Sequence, residues 1–304
     1  MTRLVAGTCV SLERQALEAA IDDAPDDAAR YAVLGDYYLQ LGDPRGELIA
    51  LQLAGRGKVR EAALLLSPGI GLLPTQRGQW RWGFVHTLSF ELVRSEAWEE
   101  HRDDWTTALL TPALEHPSCR FLRELVVDAS PGDDTLRFLA ANAPRHLEGL
   151  AIVCNELELS HVRGHLSQLV KLALSAQLIV PAPLSLPRLL ELSLPVDAMT
   201  IEGLGIVLDT LPSLRRLTLS SLESFDSRAL FPVTRLTSLD SLTLRAENTT
   251  LSAVEALAES PLAQTLRALD VSRSGMTEEA AHRLLALAPT KFTKLDSLLL
   301  GDAA

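Results

Sequence analysis

A handful of short stretches hold side chains whose type and spacing could do chemistry. Gly-Arg-Gly-Lys-Val at 55–59 has the glycines and lysine of a phosphate loop, in which backbone N–H groups and an ammonium cradle a phosphate. That loop also needs a glycine five residues before Gly57, where Gln52 stands, and Ser or Thr after Lys58, where Val59 stands. The stretch reads as a helix start. His-Arg-Asp-Asp at 101–104 mimics the kinase catalytic triplet, but no strand lysine or Asp-Phe-Gly accompanies it, and its surroundings read as the solvated face of a helix. His161 and His165 would share one helical face as metal ligands, yet Gly164 weakens that helix and no third ligand is near in sequence. His116 and Cys119 could pair as base and nucleophile only where a thiolate is stabilised; Cys119 stands at the start of an apolar repeat, where burial is expected. A cleft beside the N-terminal helices could gather Asp36, Arg45, Glu47 and His86. No catalytic, cofactor-binding or metal-binding residue is assigned, no cofactor is expected, and the chain is not read as an enzyme.

The elements that would position such groups are dominated by one repeat. Leu-x-x-Leu-x-Leu or a close variant starts at Leu122, Leu147, Leu169, Leu189, Leu214, Leu239, Leu266 and Leu295. The last two apolar positions of each copy alternate with polar ones, which makes a short strand with one face inward. A single copy cannot bury its leucines, so copies must stack into a continuous column. The segments between copies carry helix signals where they are long, as in Thr277 followed by two glutamates and Ala281, Leu284, Leu285 and Ala288. The two shortest, from Leu147 to Leu169 and from Leu169 to Leu189, leave room only for a turn or 3₁₀ segment. The expected class is α/β: a leucine-rich-repeat solenoid with parallel strands on a concave face, helices or turns on the convex face, and a small all-helical module at the N-terminus.

Three parts are expected: helices over 1–66, a connector with an atypical capping strand and helix over 67–118, and the repeats over 119–304. "WRWGFVHTLSF" reads as the capping strand, and the segment from Arg94 to Pro117 as the amphipathic helix after it, with Trp98, Trp105 and Leu109 inward. In the first part, Leu12, Ala16, Ala20 and Ile21 share a face, and Leu34, Tyr37, Tyr38 and Leu41 share another. Between them and the next helix, "GDPRGE" reads as a corner: Gly42 a left-handed C-cap, Asp43 an N-cap, Pro44 the first helical residue.

The long repeats resemble the ribonuclease-inhibitor-like class of leucine-rich repeat, over roughly residues 119–304. An asparagine or cysteine after the strand, usual in that class, appears clearly only as Asn155. Residues 11–53 resemble the repeat-companion domain, a small bacterial module that often precedes leucine-rich repeats. Pro25, Asp36, Gly42, Asp43, Pro44, Arg45, Gly46, Glu47 and Gln52 match its pattern; Tyr37 replaces a tryptophan and Gly35 an alanine. The resemblance implies a companion to the repeats and carries no activity.

The totals narrow the function. The chain has 304 residues, 47% apolar and 5% aromatic, so an aliphatic core is expected. A net charge of −11 repels phosphate backbones and disfavours nucleic acid as partner. No export signal or membrane-length apolar run is read, and Cys9, Cys119 and Cys154 lack disulfide spacing, so a soluble cytoplasmic protein with no membrane contact is expected. The expected role is a non-enzymatic scaffold binding a protein partner through the concave strand face. Glu124, Val126, Asp128, Lys171, Glu191, Arg216, Thr218, Arg245 and Asp270 are its candidate contacts, with Ser272 outward in the same strand as Asp270. The alternatives are a specificity subunit or effector tied to an enzymatic activity, and a structural protein self-associating weakly through its C-terminal edge.

Overall fold

A computed structural model describes residues 3–67, 70–71, 76–91, 106–128, 132–222, 224–225, 227–230 and 232–301. The chain is mixed α/β with a large, mostly parallel sheet. It divides into two compact units, residues 1–126 with 144–146 and residues 127–143 with 147–304. The first half of the helix expected over 94–117, with Trp98, Trp105 and the 101–104 motif, lies outside the described residues; in the second half Thr106–Leu110 and Thr111–Glu115 are helical and Leu109 is buried.

The first unit opens with helices α1 (Arg3–Asp23), α2 (Ala28–Gln40), α3 (Pro44–Ala54) and α4 (Lys58–Leu65). Asp27 caps α2 by accepting the Ala29 N–H at 3.0 Å, and Asp43 caps α3 by accepting the Arg45 N–H at 2.8 Å. Between them Gly42 turns left-handed at φ 70°, its N–H bonds to Leu39 O and the Asp43 N–H to Tyr38 O. These two bonds make a Schellman ending, which satisfies carbonyls that the helix leaves open. The inward face of α1 is rotated from the expected one. Leu12 is 61% exposed, whereas Glu18 is buried beside Ile21, because Arg14 and Arg120 take its carboxylate in place of water. Leu41 is likewise outward.

"WRWGFVHTLSF" makes two strands rather than one: β1 (Gln76–Arg81) and β2 (Phe84–Glu91) pair antiparallel. Trp82 and Gly83 join them with φ of 50° and 82°, the successive positive values that a two-residue I′ loop needs. Period-two aromatics ran straight through this turn and concealed it. A non-glycine residue there costs roughly 1–2 kcal/mol. Trp82 offsets this by packing on Tyr31, ring centroids 4.9 Å apart, with the Arg81 guanidinium 4.0 Å from its own ring centroid. Tyr31, Phe84 and Phe121 continue the cluster, so this unit's core is aromatic despite the aliphatic average.

Strand β3 (Glu124–Asp128) straddles the boundary between the units in sequence. The second unit holds β4 (Gly149–Val153), β5 (Glu156–Glu158), β6 (Lys171–Ser175), β7 (Leu178–Val180), β8 (Glu191–Pro195), β9 (Arg216–Ser220), β10 (Ser224–Phe225), β11 (Ser241–Arg245), β12 (Asn248–Thr249), β13 (Ala268–Arg273) and β14 (Ser297–Leu300). Its sheet runs β4-β6-β8-β9-β11-β13-β14, each pair parallel. Register sets the repeat leucines side by side: Leu150, Leu172, Leu192, Leu217, Leu242, Leu269 and Leu298 form one rank. The first six are at most 2% exposed.

One backbone device recurs at each step. Glu148 O accepts the N–H groups of both Val170 and Lys171; Val170, Leu190, Arg215, Asp240 and Arg267 carbonyls each take the matching pair from the next repeat. After the strands, Cys154 N–H bonds to Ser175 O, Val196 to Ser220 O, Ser221 to Arg245 O and Ala246 to Arg273 O. Backbone-to-backbone bonds thus do the work that a column of asparagines would do. The long returns are helical, with Thr200, Thr250 and Thr277 each capping a helix through its hydroxyl. The return before Leu169 contains two 3₁₀ turns and the one before Leu189 no helix. In the helix Glu278–Lys291 the buried positions are Ala280 and Leu284, while Leu285 is 49% exposed.

Candidate functional site

The outward side chains of the second unit's sheet form ranks that the register defines. Gly149, Lys171, Glu191, Arg216, Ser241 and Ala268 make the first; Ala151, Ala173, Ser193, Thr218, Thr243 and Asp270 the second. Pro195, Ser220 and Arg245 belong to a third, at the C-terminal ends of the strands. The second rank is small from Ala151 to Thr243, so a chain could lie flat along it. Of the nine residues singled out from sequence, Lys171, Glu191, Arg216, Thr218, Arg245 and Asp270 share this face. Glu124 and Val126 belong to the first unit, and Asp128 to the second.

Their hydrogen-bonding capacity is not equally open. Arg216 is 2.5 Å from Glu191 across the β8–β9 pair, so those two charges largely neutralise each other. Glu124 accepts the Thr87 hydroxyl at 3.3 Å, and Lys171 also has a partner. Asp270 accepts both the Ser272 N–H at 2.9 Å and its hydroxyl at 2.7 Å. Arg245 is exposed and has no ion pair or side-chain hydrogen bond among the described residues.

Sequence alternation put Ser272 level with Arg245. The structure puts Arg273 there, because β13 carries an irregularity between the Thr243 and Arg245 partners, Asp270 and Arg273. A bulge leaves no hydropathy trace, which is why the pattern missed Arg273.

The groups considered for chemistry are engaged elsewhere. Asp36 is exposed, and Glu47 forms a two-pronged pair with Arg60 of α4, both contacts 2.7 Å, which holds its carboxyl below the usual range. Arg45 is buried at 4% exposure, its guanidinium 5.5 Å from the Tyr38 ring centroid and 5.9 Å from that of Phe84. Gln52 accepts the Gly83 N–H at 2.7 Å and donates to Glu61 at 2.9 Å, which ties α3 to the hairpin turn and to α4. Burial, then the neighbouring Arg123, lowers the His86 pKa. Around these groups Trp82 packs against the aromatic cluster and Trp80 against Leu48, Leu64 and Ile70, while His86 lines a small recess with Tyr31, Arg81 and Arg123.

His161 and His165 do not share a helix. His165 Nδ1 faces Ala143 O at 3.2 Å, and His161 instead meets Asp133 and Glu158, ligand atoms within 4.8 Å of one another. Arg137 donates to His161 Nε2 at 3.0 Å and Asp133 Oδ1 accepts the Glu158 N–H at 2.5 Å, bonds that tie the cluster together and leave each carboxylate further acceptor sites. A second polar cluster also escaped sequence reading, since its members are far apart in the chain. Asp22 joins His146 and Arg120, each at 2.8 Å, and Arg120 reaches Glu18 at 3.2 Å. It links α1 to the 120 and 146 regions within the first unit.

Burial pushes the Cys119 thiol up to about 12 and the Cys154 thiol to about 11. Both therefore stay protonated at pH 8, the reverse of an activated nucleophile. Native-state alkylation with iodoacetamide at that pH, read by peptide mass spectrometry, is expected to label both at least tenfold more slowly than in urea. Rapid native labelling of Cys119 would contradict its burial.

No protein-family model and no curated protein sequence matches this chain.

Proposed function

We propose that the chain is a leucine-rich-repeat solenoid with an N-terminal repeat-companion module, acting as a non-enzymatic scaffold that binds a protein partner along its concave strand face. The observation that carries this reading is the second outward rank, from Ala151 to Thr243. Five small side chains stand level on five neighbouring parallel strands, each only part-exposed, flanked by charged groups. Such a face offers contact area without self-obstruction, the use to which stacked repeats are suited. The engagement of Arg45, Glu47 and Gln52 in the N-terminal corner supports a structural part for that module.

A steric block tests it. Thr218→Tyr with Thr243→Tyr is expected to reduce partner capture from native lysate by tenfold or more, an order of magnitude typical of losing a central interface contact. The melting temperature should stay unchanged, since neither side chain supports the core. Undiminished capture by a folded double variant would remove this face from the function.

A further inference from the structure

We infer that Arg245 and Arg273 form a two-arginine clamp for carboxylates, so that the partner segment docking on this face is acidic. The inference rests on the reading of the face as a protein-binding surface and names the chemistry of what it holds. The two residues are register partners on β11 and β13, strands about 4.8 Å apart. Both are exposed, and neither has an ion pair or side-chain hydrogen bond among the described residues. Like charges directly opposite each other destabilise a sheet. Among the described residues no carboxylate pairs with either of them, although the chain has 39 acidic residues against 28 basic ones. Asp270, three residues before Arg273 in β13, is turned to Ser272.

The bulge is the second observation. Continued alternation would have set Ser272 opposite Arg245; the irregularity in β13 sets Arg273 there instead. Bulges commonly re-aim a side chain where a surface is used. Paired guanidinium forks match carboxylates in a planar, two-bond geometry. Beside them lie the hydroxyls of Ser220, Thr243 and Thr218, small enough to leave the approach open. A continuous phosphate backbone fits less well, because it would have to cross Glu191 and Asp270 on a chain of net charge −11.

The test uses the full chain and a fluorescein-labelled Gly-Glu repeat peptide, with a Gly-Gln repeat and a single-stranded RNA of equal length as comparators. The expected result is at least tenfold tighter binding of the acidic peptide than of the neutral one, falling as salt rises. R245S/R273S should lose that preference, R245K/R273K should recover part of it, and R163S/R188S should keep it. Removing the like-charge pair should leave the melting temperature equal or higher, so lost binding cannot be misfolding. An equal affinity for both peptides, an unchanged R245S/R273S, or tighter binding of RNA each overturns the clamp. Lysate capture separates the two levels: capture blocked by the Thr218 and Thr243 tyrosines but insensitive to R245S/R273S leaves the face standing and removes the clamp. Capture insensitive to both removes the face itself.

Discussion

Gly46→Ala is expected to lower the melting temperature of the N-terminal unit by about 5–10 °C, although alanine favours a helix by up to roughly 1 kcal/mol over glycine. Gly46 lies in the first turns of α3, where that helix crosses α2. A Cβ there would sit 2.5 Å from Leu39 N, 2.7 Å from Gly35 O and 2.8 Å from Leu39 Cγ. Two of these are backbone atoms, which cannot rotate away as a side-chain tip could. The helices must separate, and overpacking of this kind costs about 1–3 kcal/mol, or more against a rigid backbone. That exceeds the propensity gain and fixes the sign. All four tryptophans precede residue 106, so tryptophan fluorescence reports the first unit's transition. Gly205→Ala in the second unit, followed by far-UV circular dichroism, supplies the contrast: beyond its own helix backbone and chain neighbours no atom lies within 4 Å of its Cβ position, and the same exchange should be neutral or slightly stabilising. A Gly46→Ala chain that melts at or above the parent would mean that α2 and α3 do not pack so closely.

The same corner shows what the sequence conveyed and what it could not. Gly42, Asp43 and Pro44 act through their own backbone and the next few N–H groups, so their roles were legible from their order. The strands were legible for a related reason. A leucine every second residue, repeated at each unit, allows only one burial pattern. Long-range partners left no such trace. Nothing local in Arg45 announces that its guanidinium lies by Tyr38 and Phe84, and nothing near Gln52 announces Gly83. The inward face of α1 is not legible because Glu18 is polar in any pattern, yet Arg14 and Arg120 make its burial tolerable. At Trp82 the alternation of aromatics hides the turn, because Trp-Gly is not a usual I′ pair. Its φ is sustained by Tyr31, which lies 51 residues earlier in the chain. The candidate face was legible in outline, rank by rank. Its distribution of open charge was not, since that depends on the Glu191–Arg216 pair and on a single displaced residue in β13.

Leu217→Ala and Leu298→Ala are expected to differ in cost by about 2 kcal/mol or more, although both remove the same atoms from the same rank. Leu217 is 1% exposed, with Leu192 on one side and Leu242 on the other. Truncation leaves a hole that its neighbours cannot fill without shifting their own strands, so a loss of about 3–5 kcal/mol is expected. Among the described residues Leu298 pairs only with Leu269, on one side, and it is half-buried; water already reaches it, so its removal should cost about 1 kcal/mol. Urea unfolding followed by circular dichroism measures both, with the m-value indicating whether the transition keeps its size. A stack stabilised through its neighbours should lose cooperativity when the break is internal, because repeats on either side then unfold separately. Leu217→Ala should therefore lower the m-value as well as the midpoint, whereas Leu298→Ala should move only the midpoint. Equal costs with unchanged m-values would falsify the view that the leucine ranks form one continuous core. The contrast does not depend on how the outward face is used, so it tests the stack that holds Thr218, Thr243 and Arg245 level with one another.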